Sequence, residues 1–268
     1  GLIGVAERIM APFRKKEETD AAMAARRVEA VGAVPYQFVR ETKTATETGR
    51  DAVLVVDDIA KSFGGIKAVR GVSFAVKDRT LHALIGPNGA GKTTAFNLLS
   101  GMFPPDRGSV TLDGREVGGL SPQAITQGGV GRSFQITNLF PGLTIEENVR
   151  LAVQARHAGR FGVWAEATAL PGLRDDTATL IRYLGLAGIE QAEAGSLSYG
   201  GQRLVDMALA LATQPRILLL DEPLAGLAAA ERKRVGDIIK TISGDIPVLL
   251  VEHDIDRVFQ LADHVTVM

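Results

Sequence analysis

The chain has 268 residues, 46% hydrophobic and 23% charged, with a net charge of −1 at pH 7 and no cysteine. That composition supports a sizeable core in one large domain or two small ones. It excludes disulfides, thiol nucleophiles and cysteine-ligated metal centres, and offers no global basic field for nucleic acid.

In chain order, residues 1–50 read differently from the rest. "RKKEETDAAMAARRVEA" mixes charge with alanine and suits an exposed helix or tail, and "ETKTATETGRD" reads as a linker. From Val53, the runs "VLVVDDI", "SFAVKD" and "TLHALIG" are short and strand-like, with turn residues between them. Beyond Gly91, strands and helices alternate. Helices are predicted at 91–100, 144–156, 176–184, 200–213, 228–242 and 254–262, and buried strands at 129–134, 216–222, 246–252 and 264–268. Continuous apolar strands between helices predict an α/β fold whose parallel sheet is covered on both faces. The stretch 137–196 lacks a strand signal and reads as a helical insertion. No apolar run reaches the ~18 residues of a membrane span.

"GPNGAGKTT" (86–94) follows the strand "LHALI" and opens a helix, the context required of G-x-x-x-x-G-K-[ST]. Across Gly86, Pro87, Asn88, Gly89, Ala90 and Gly91 the glycines let backbone N–H groups curl closely around phosphates. The helix N-terminus that carries Lys92, Thr93 and Thr94 adds partial positive charge. Lys92 has the length to reach β and γ phosphates, and the Thr93 hydroxyl suits Mg²⁺. "ILLLDE" (217–222) ends a buried strand in two acids. This strand is expected beside the phosphate-loop strand, with Asp221 holding Mg²⁺ through water and Glu222 polarising the attacking water as general base. "VLLVEH" ends at His253, placed to sense a γ-phosphate from beside Glu222. Gln135, at the end of "RSFQ", suits Mg²⁺ ligation or the positioning of water. In "LSYGGQ" (197–202), Ser198 reads as an N-cap and Gly200 and Gly201 as a turn at the mouth of a helix. His82, His157, His264 and Trp164 read as structural.

Taken together and in order, "GPNGAGKTT", "RSFQ", "LSYGGQ", "ILLLDEP" and "VEHD" resemble the nucleotide-binding domain of an ATP-binding cassette (ABC) transporter, over about residues 52–268. The resemblance implies a P-loop NTPase (RecA-like) core with an N-terminal antiparallel β subdomain and a helical insertion. It also implies ATP and Mg²⁺ as ligands, ATP hydrolysis, and adenine stacked on Phe63 of "KSFGG". "GVGRSFQITNLFPGLTIEENV" and "VEHDIDRVFQLADHVTVM" are similar to ATPase subunits of branched-chain or hydrophobic amino acid importers. The implied partners are a second nucleotide-binding domain, arranged head to tail, and a membrane permease docked on about 135–165; no nucleic acid is implied. In that pair, Ser198, Gly200 and Gly201 of one chain face the ATP held by the phosphate loop of the other. The implied location is the cytoplasmic face of the inner membrane. The opening "GLIGVAERIMAPFRKK" reads as the cytoplasmic end of a permease's last helix, and hence as a permease–ATPase fusion. A linker and a docking helix are the competing readings. The ending on a strand at Met268 reads as a fragment.

Three positions depart from the family pattern. Gly201 stands where glutamine is usual, Ala228 where Asp or Asn is usual, and Leu209 where arginine is common. Benign drift is the preferred reading; the competing expectation is slower or less coupled hydrolysis with ATP binding retained. Two other functions fit less well. One is a cassette that dimerises on ATP with little turnover. The other is a non-transport ABC ATPase, which would usually bring tandem cassettes, zinc cysteines or long coiled coils.

Overall fold

The computed structural model describes residues 52–133, 139–156 and 172–268. They fall into two compact units, one within residues 139–208 and one combining 52–133 with 209–268. The 1–50 segment, Gln135, His157 and Trp164 lie outside the described residues.

The second unit opens with β1 (Ala52–Phe63) and β2 (Ile66–Lys77), a long antiparallel hairpin, followed by β3 (Leu81–Ile85). Helix α1 (Lys92–Leu99) leads to β4 (Arg107–Leu112) and β5 (Arg115–Glu116), which return to the first sheet. That sheet has the order β2-β1-β4-β5 and is antiparallel throughout. Helix α2 (Pro122–Gly128) precedes β6 (Val130–Ser133). Its start is chemically marked: the Ser121 hydroxyl accepts from Ala124 N–H, and Pro122 sits where a helix has no use for an N–H.

The first unit holds α3 (Ile145–Gln154) and α4 (Leu173–Tyr183). Thr144 and Glu147 form a reciprocal capping box on α3. The buried Asn148 amide donates to the carbonyls of Phe140, Leu143 and Thr144 and accepts from Phe140 N–H, which fixes the preceding loop. The boundary between the units falls within α5 (Tyr199–Ala212).

The chain then forms β7 (Ile217–Asp221), α6 (Ala229–Asp245), β8 (Val248–Val251), α7 (Ile255–Leu261) and β9 (His264–Val267). The second sheet has the order β6-β7-β8-β3-β9, and every pair is parallel. Strands β3, β7 and β8 are buried along their whole length, so their sequences are continuous apolar runs rather than alternating ones. The expected neighbourhood of β7 and β3 needs correction, because β8 lies between them. An all-apolar strand carries no pattern that ranks one buried neighbour over another. Side chains from both sheets and from α1 (Phe96, Leu98 and Leu99) close into one hydrophobic cluster.

His82 belongs to this buried framework. Its Nε2 pairs with Thr266 Oγ1 at 2.8 Å, across the β3–β9 register. Burial, reinforced by the neighbouring His264, lowers its pKa to about 4. The unfolded chain therefore binds the extra proton more readily between the ordinary value of 6.5 and about 4. Stability from this residue is fully present above pH 6.5 and is lost as pH falls towards 4. The protein is expected to lose about 2 kcal/mol between pH 7.5 and pH 5 from this group. Denaturant melts of wild type and His82→Gln at both pH values check this; equal pH dependence in the two proteins would exclude it.

Ala228 occupies the N-cap of α6 in extended backbone (φ −62°, ψ 156°), and no side chain caps the helix. The geometry is that of a capped helix start without the oxygen. Ala228→Asp is expected to raise stability by about 1 kcal/mol. A thermal melt several degrees higher is the expected reading, and an unchanged melt would show that the cap does not form.

Candidate functional site

The parallel sheet delivers its polar residues at the carboxyl ends of its strands, where open α/β sheets bind ligands. β3 ends at the glycine-rich loop. Gly91 caps α1 with φ +98°, and a Cβ there would lie 2.2 Å from the carbonyl oxygen of Ala68 in β2. Only glycine fits that close approach. Lys92 is 5% exposed, and its ammonium donates to the carbonyls of Gly86 at 2.7 Å and Pro87 at 3.0 Å. An ammonium has three donors, so one remains for an anionic oxygen. Pro87, Asn88, Gly89 and Thr93 are exposed, while Gly86, Ala90, Gly91 and Thr94 are half-buried. The loop therefore opens towards solvent above a buried cation.

β7 ends at Asp221, which is buried. Arg132 of β6 approaches its Oδ2 at 3.4 Å and also donates to Asn97 Oδ1 at 2.9 Å and Ser100 Oγ at 2.5 Å. One guanidinium thus ties β6, the helix behind the phosphate loop and the end of β7 together. Burial pushes the Asp221 carboxyl above the usual carboxylate value, and Arg132 offsets this only in part at that distance.

Glu222 follows in left-handed backbone, φ +49°, with its N–H bound to Val251 O at 2.9 Å. A non-glycine residue held there costs about 1–3 kcal/mol, and such strain clusters at working sites. Its Oε1 lies 2.5 Å from His253 Nε2. This pairing follows from the position of β8, which places His253 at the neighbouring strand end. Glu252 supports it from below: its buried carboxylate accepts from Leu224 N–H at 2.8 Å and His253 N–H at 3.2 Å. Arg232 donates to Leu227 O at 3.0 Å and to Asp254 at 3.3 Å, joining the turn after β7 to the loop after β8. A strained carboxylate bonded to an imidazole beside a second carboxylate can take a proton from water and face an anionic substrate.

Phe63 stands at the tip of β1, 41% exposed. In the other unit, the Ser198 hydroxyl accepts from Gly201 N–H at 3.3 Å, so Ser198 is the expected cap of α5. Gly200 and Gly201 are buried, and a Cβ at Gly201 would come within 3.1 Å of Leu197 Cβ. Glycine at 201 thus matches the tight packing of Leu197 against the helix start. Arg203, also buried, donates to the Tyr199 hydroxyl at 2.8 Å.

Structure brings Glu222 and His253 into direct contact and sets Asp221 beside Arg132. Sequence reasoning missed Arg132, Glu252, Arg232 and Arg203. A charged residue inside an apolar strand or helix was the available signal for Arg132 and Arg203. Among the described residues, no three His, Asp or Glu side chains gather to hold a metal, and no helix is long and apolar enough to cross a membrane. Mg²⁺ needs only one or two protein oxygens when it is shared with phosphates, and Asp221 and Thr93 are hard oxygen donors of that kind.

The sequence profile of the ABC transporter family matches residues 69–225. The chain is 38% identical over 224 residues to the high-affinity branched-chain amino acid transport ATP-binding protein BraF of Pseudomonas aeruginosa, covering 81% of this chain and 88% of that protein. It is 36% identical over 225 residues to LivG of Escherichia coli, which carries the same description, with 81% and 88% covered. Among solved structures, the ADP conformation of an ATP-binding cassette of an ABC transporter is similar with a TM-score of 0.73 and 28% identity, covering 81% of this chain and 87% of that one. The order of motifs, the two sheets and these likenesses agree: the chain belongs to the ABC transporter family and folds as its ATP-binding cassette.

Proposed function

We propose that this chain hydrolyses ATP to drive an importer of branched-chain or other hydrophobic amino acids. The observation that carries the reading is the Glu222–His253 pair, with Glu222 in strained backbone, at the carboxyl ends of the strands where the Lys92 loop also begins. The loop N–H groups and Lys92 bind the phosphates, and Phe63 stacks on adenine. Thr93, Asp221 and Gln135 would hold Mg²⁺, which when bound neutralises phosphate charge. Glu222 accepts the proton of the water that attacks the γ-phosphorus, as the bond to the departing ADP oxygen breaks. His253 orients the Glu222 carboxylate and faces the γ-phosphate oxygens.

Ser198, Gly200 and Gly201 serve the ATP of a second cassette, in a head-to-tail pair. Their small size and the start of α5 suit close approach to an anion. The pair works on a membrane permease at the cytoplasmic face of the inner membrane, docked on about residues 135–165. The domain boundary lies near residue 51. BraF and LivG, named for branched-chain amino acid transport, support the choice of solute.

The test is uptake of radiolabelled leucine by cells whose own copy carries Glu222→Gln. Lost uptake is expected. Undiminished uptake, with ATP hydrolysis abolished in the purified variant, would reject the solute and leave the ATPase.

A further inference from the structure

The tip of β1 is fastened to the segment that follows α1 by two separate devices. The first is a carboxylate clamp. Asp106 accepts from Lys61 Nζ at 2.7 Å and from Ser62 N–H at 2.8 Å, and its own N–H donates to Ala60 O at 2.8 Å. Three consecutive residues before Phe63 are thereby held by one side chain and its backbone. The second is aromatic. The Phe103 ring meets Phe63 edge-on, with centroids 5.3 Å apart and planes at 74°. Phe103 is itself 38% exposed, so hydrophobic burial alone does not account for where it sits. Its segment leaves the C-terminus of the helix that starts at the phosphate loop, an end closed by Gly101 in left-handed backbone, with Gly101 N–H bonded to Leu98 O and Met102 N–H to Asn97 O.

We infer that Phe103 is a positioning residue for base recognition: it presses edge-on against Phe63 and fixes the plane on which adenine stacks, while Asp106 fixes the strand tip beneath. The inference rests on the reading of Phe63 as the adenine platform. A T-shaped neighbour restrains the Phe63 ring without stacking parallel on it, and with Lys61 Nζ also 5.7 Å from the ring centroid the residue still remains 41% exposed. Because Lys92 opens α1 and Phe103 follows its closed C-terminus, the base platform and the phosphate cradle are tied to the two ends of one helix. The span between base and phosphates is then built into the protein before ligand arrives, which lowers the ordering cost of binding.

The experiment is calorimetric titration of the full chain with adenylyl imidodiphosphate and, separately, with inorganic tripolyphosphate, which has no base. Phe63→Ala is expected to weaken the nucleotide roughly tenfold or more and leave tripolyphosphate unchanged. Phe103→Ala and Phe103→Leu are expected to weaken the nucleotide about two- to tenfold, again with tripolyphosphate unchanged, and Phe103→Tyr to restore wild-type affinity. Phe103→Leu keeps the apolar bulk, so a shared loss in both variants reports the ring. Wild-type nucleotide affinity in Phe103→Ala and Phe103→Leu, with Phe63→Ala weakened, would overturn the inference and keep the platform. An equal loss of tripolyphosphate affinity would overturn it too, since that is what a purely structural role does. Undiminished nucleotide affinity in Phe63→Ala would remove the platform itself.

Discussion

Glu222→Gln is expected to lower ATP turnover by about 100- to 10,000-fold while leaving ATP affinity within a few-fold of wild type. The substitution keeps the size of the side chain and its hydrogen bond to His253, so the local packing and the Glu222–Val251 backbone bond have no reason to change. What it removes is a proton acceptor. Neither neighbouring carboxylate is placed to take over. Asp221 is engaged by Arg132, and Glu252 is buried beneath the pair and spends its oxygens on the N–H groups of Leu224 and His253. Steady-state phosphate release, measured beside ATP titration, separates the two quantities. Turnover at the wild-type rate would remove Glu222 as the base. A parallel collapse of affinity would mean that the glutamine had disturbed the loop after β7 rather than the chemistry. The same pair of measurements bears on Gly201 and Ala228. A wild-type chain that binds ATP but turns over no faster than Glu222→Gln would be the binding-only cassette.

Much of the site was legible because its signals are local. A phosphate loop is a contiguous run with fixed spacing, and "GPNGAGKTT" sits where a strand ends and a helix begins, as Ile85 and Lys92 do in the structure. The six predicted helices and the four predicted strands form with ends displaced by a few residues, but the last strand, His264–Val267, lies at the sheet edge and is only half-buried, not buried as expected. Elements whose marks are weak were not read. β4, from "RGSVTL", alternates only over a short span, and α2 has one turn of apolar face, although Ser121 and Pro122 announce its start. Sheet order was legible only in part: His253 was expected beside Glu222, as β7 and β8 now place it, but β7 was also expected beside β3. β7 and β3 are both continuous apolar runs, and what places β8 between them is how the connecting helices pack, which no single strand records. That one interposed strand is what brings His253 to Glu222. The supporting residues were missed for a related reason. Glu252 and Arg232 look like ordinary charges beside a motif, and only three-dimensional proximity shows them fastening two loops to each other.

Gly91→Ala is expected to abolish measurable nucleotide binding, a loss of at least about a hundredfold, and to lower the thermal midpoint by several degrees. The added Cβ would sit 2.2 Å from the Ala68 carbonyl oxygen, a backbone atom of β2 that cannot swing aside as a side chain would. Either the loop lifts off the hairpin or β2 moves, and both displace the Gly86 and Pro87 carbonyls that hold Lys92. The backbone at φ +98° adds strain of about 1–3 kcal/mol for any residue with a side chain. Gly89 separates the two causes. It also has positive φ, +83°, yet a Cβ there meets nothing within 4 Å. Gly89→Ala therefore carries the conformational strain without the collision and is expected to cost about 1 kcal/mol of stability while the cradle survives in weakened form. ATP titration and thermal melts of the two variants distinguish steric collision from lost flexibility. Equal losses in both would mean that backbone freedom alone shapes the loop. A deeper loss at Gly91 would mean that the hairpin is its mould, so that the antiparallel sheet, which supplies no phosphate ligand, nonetheless sets where the phosphates can lie.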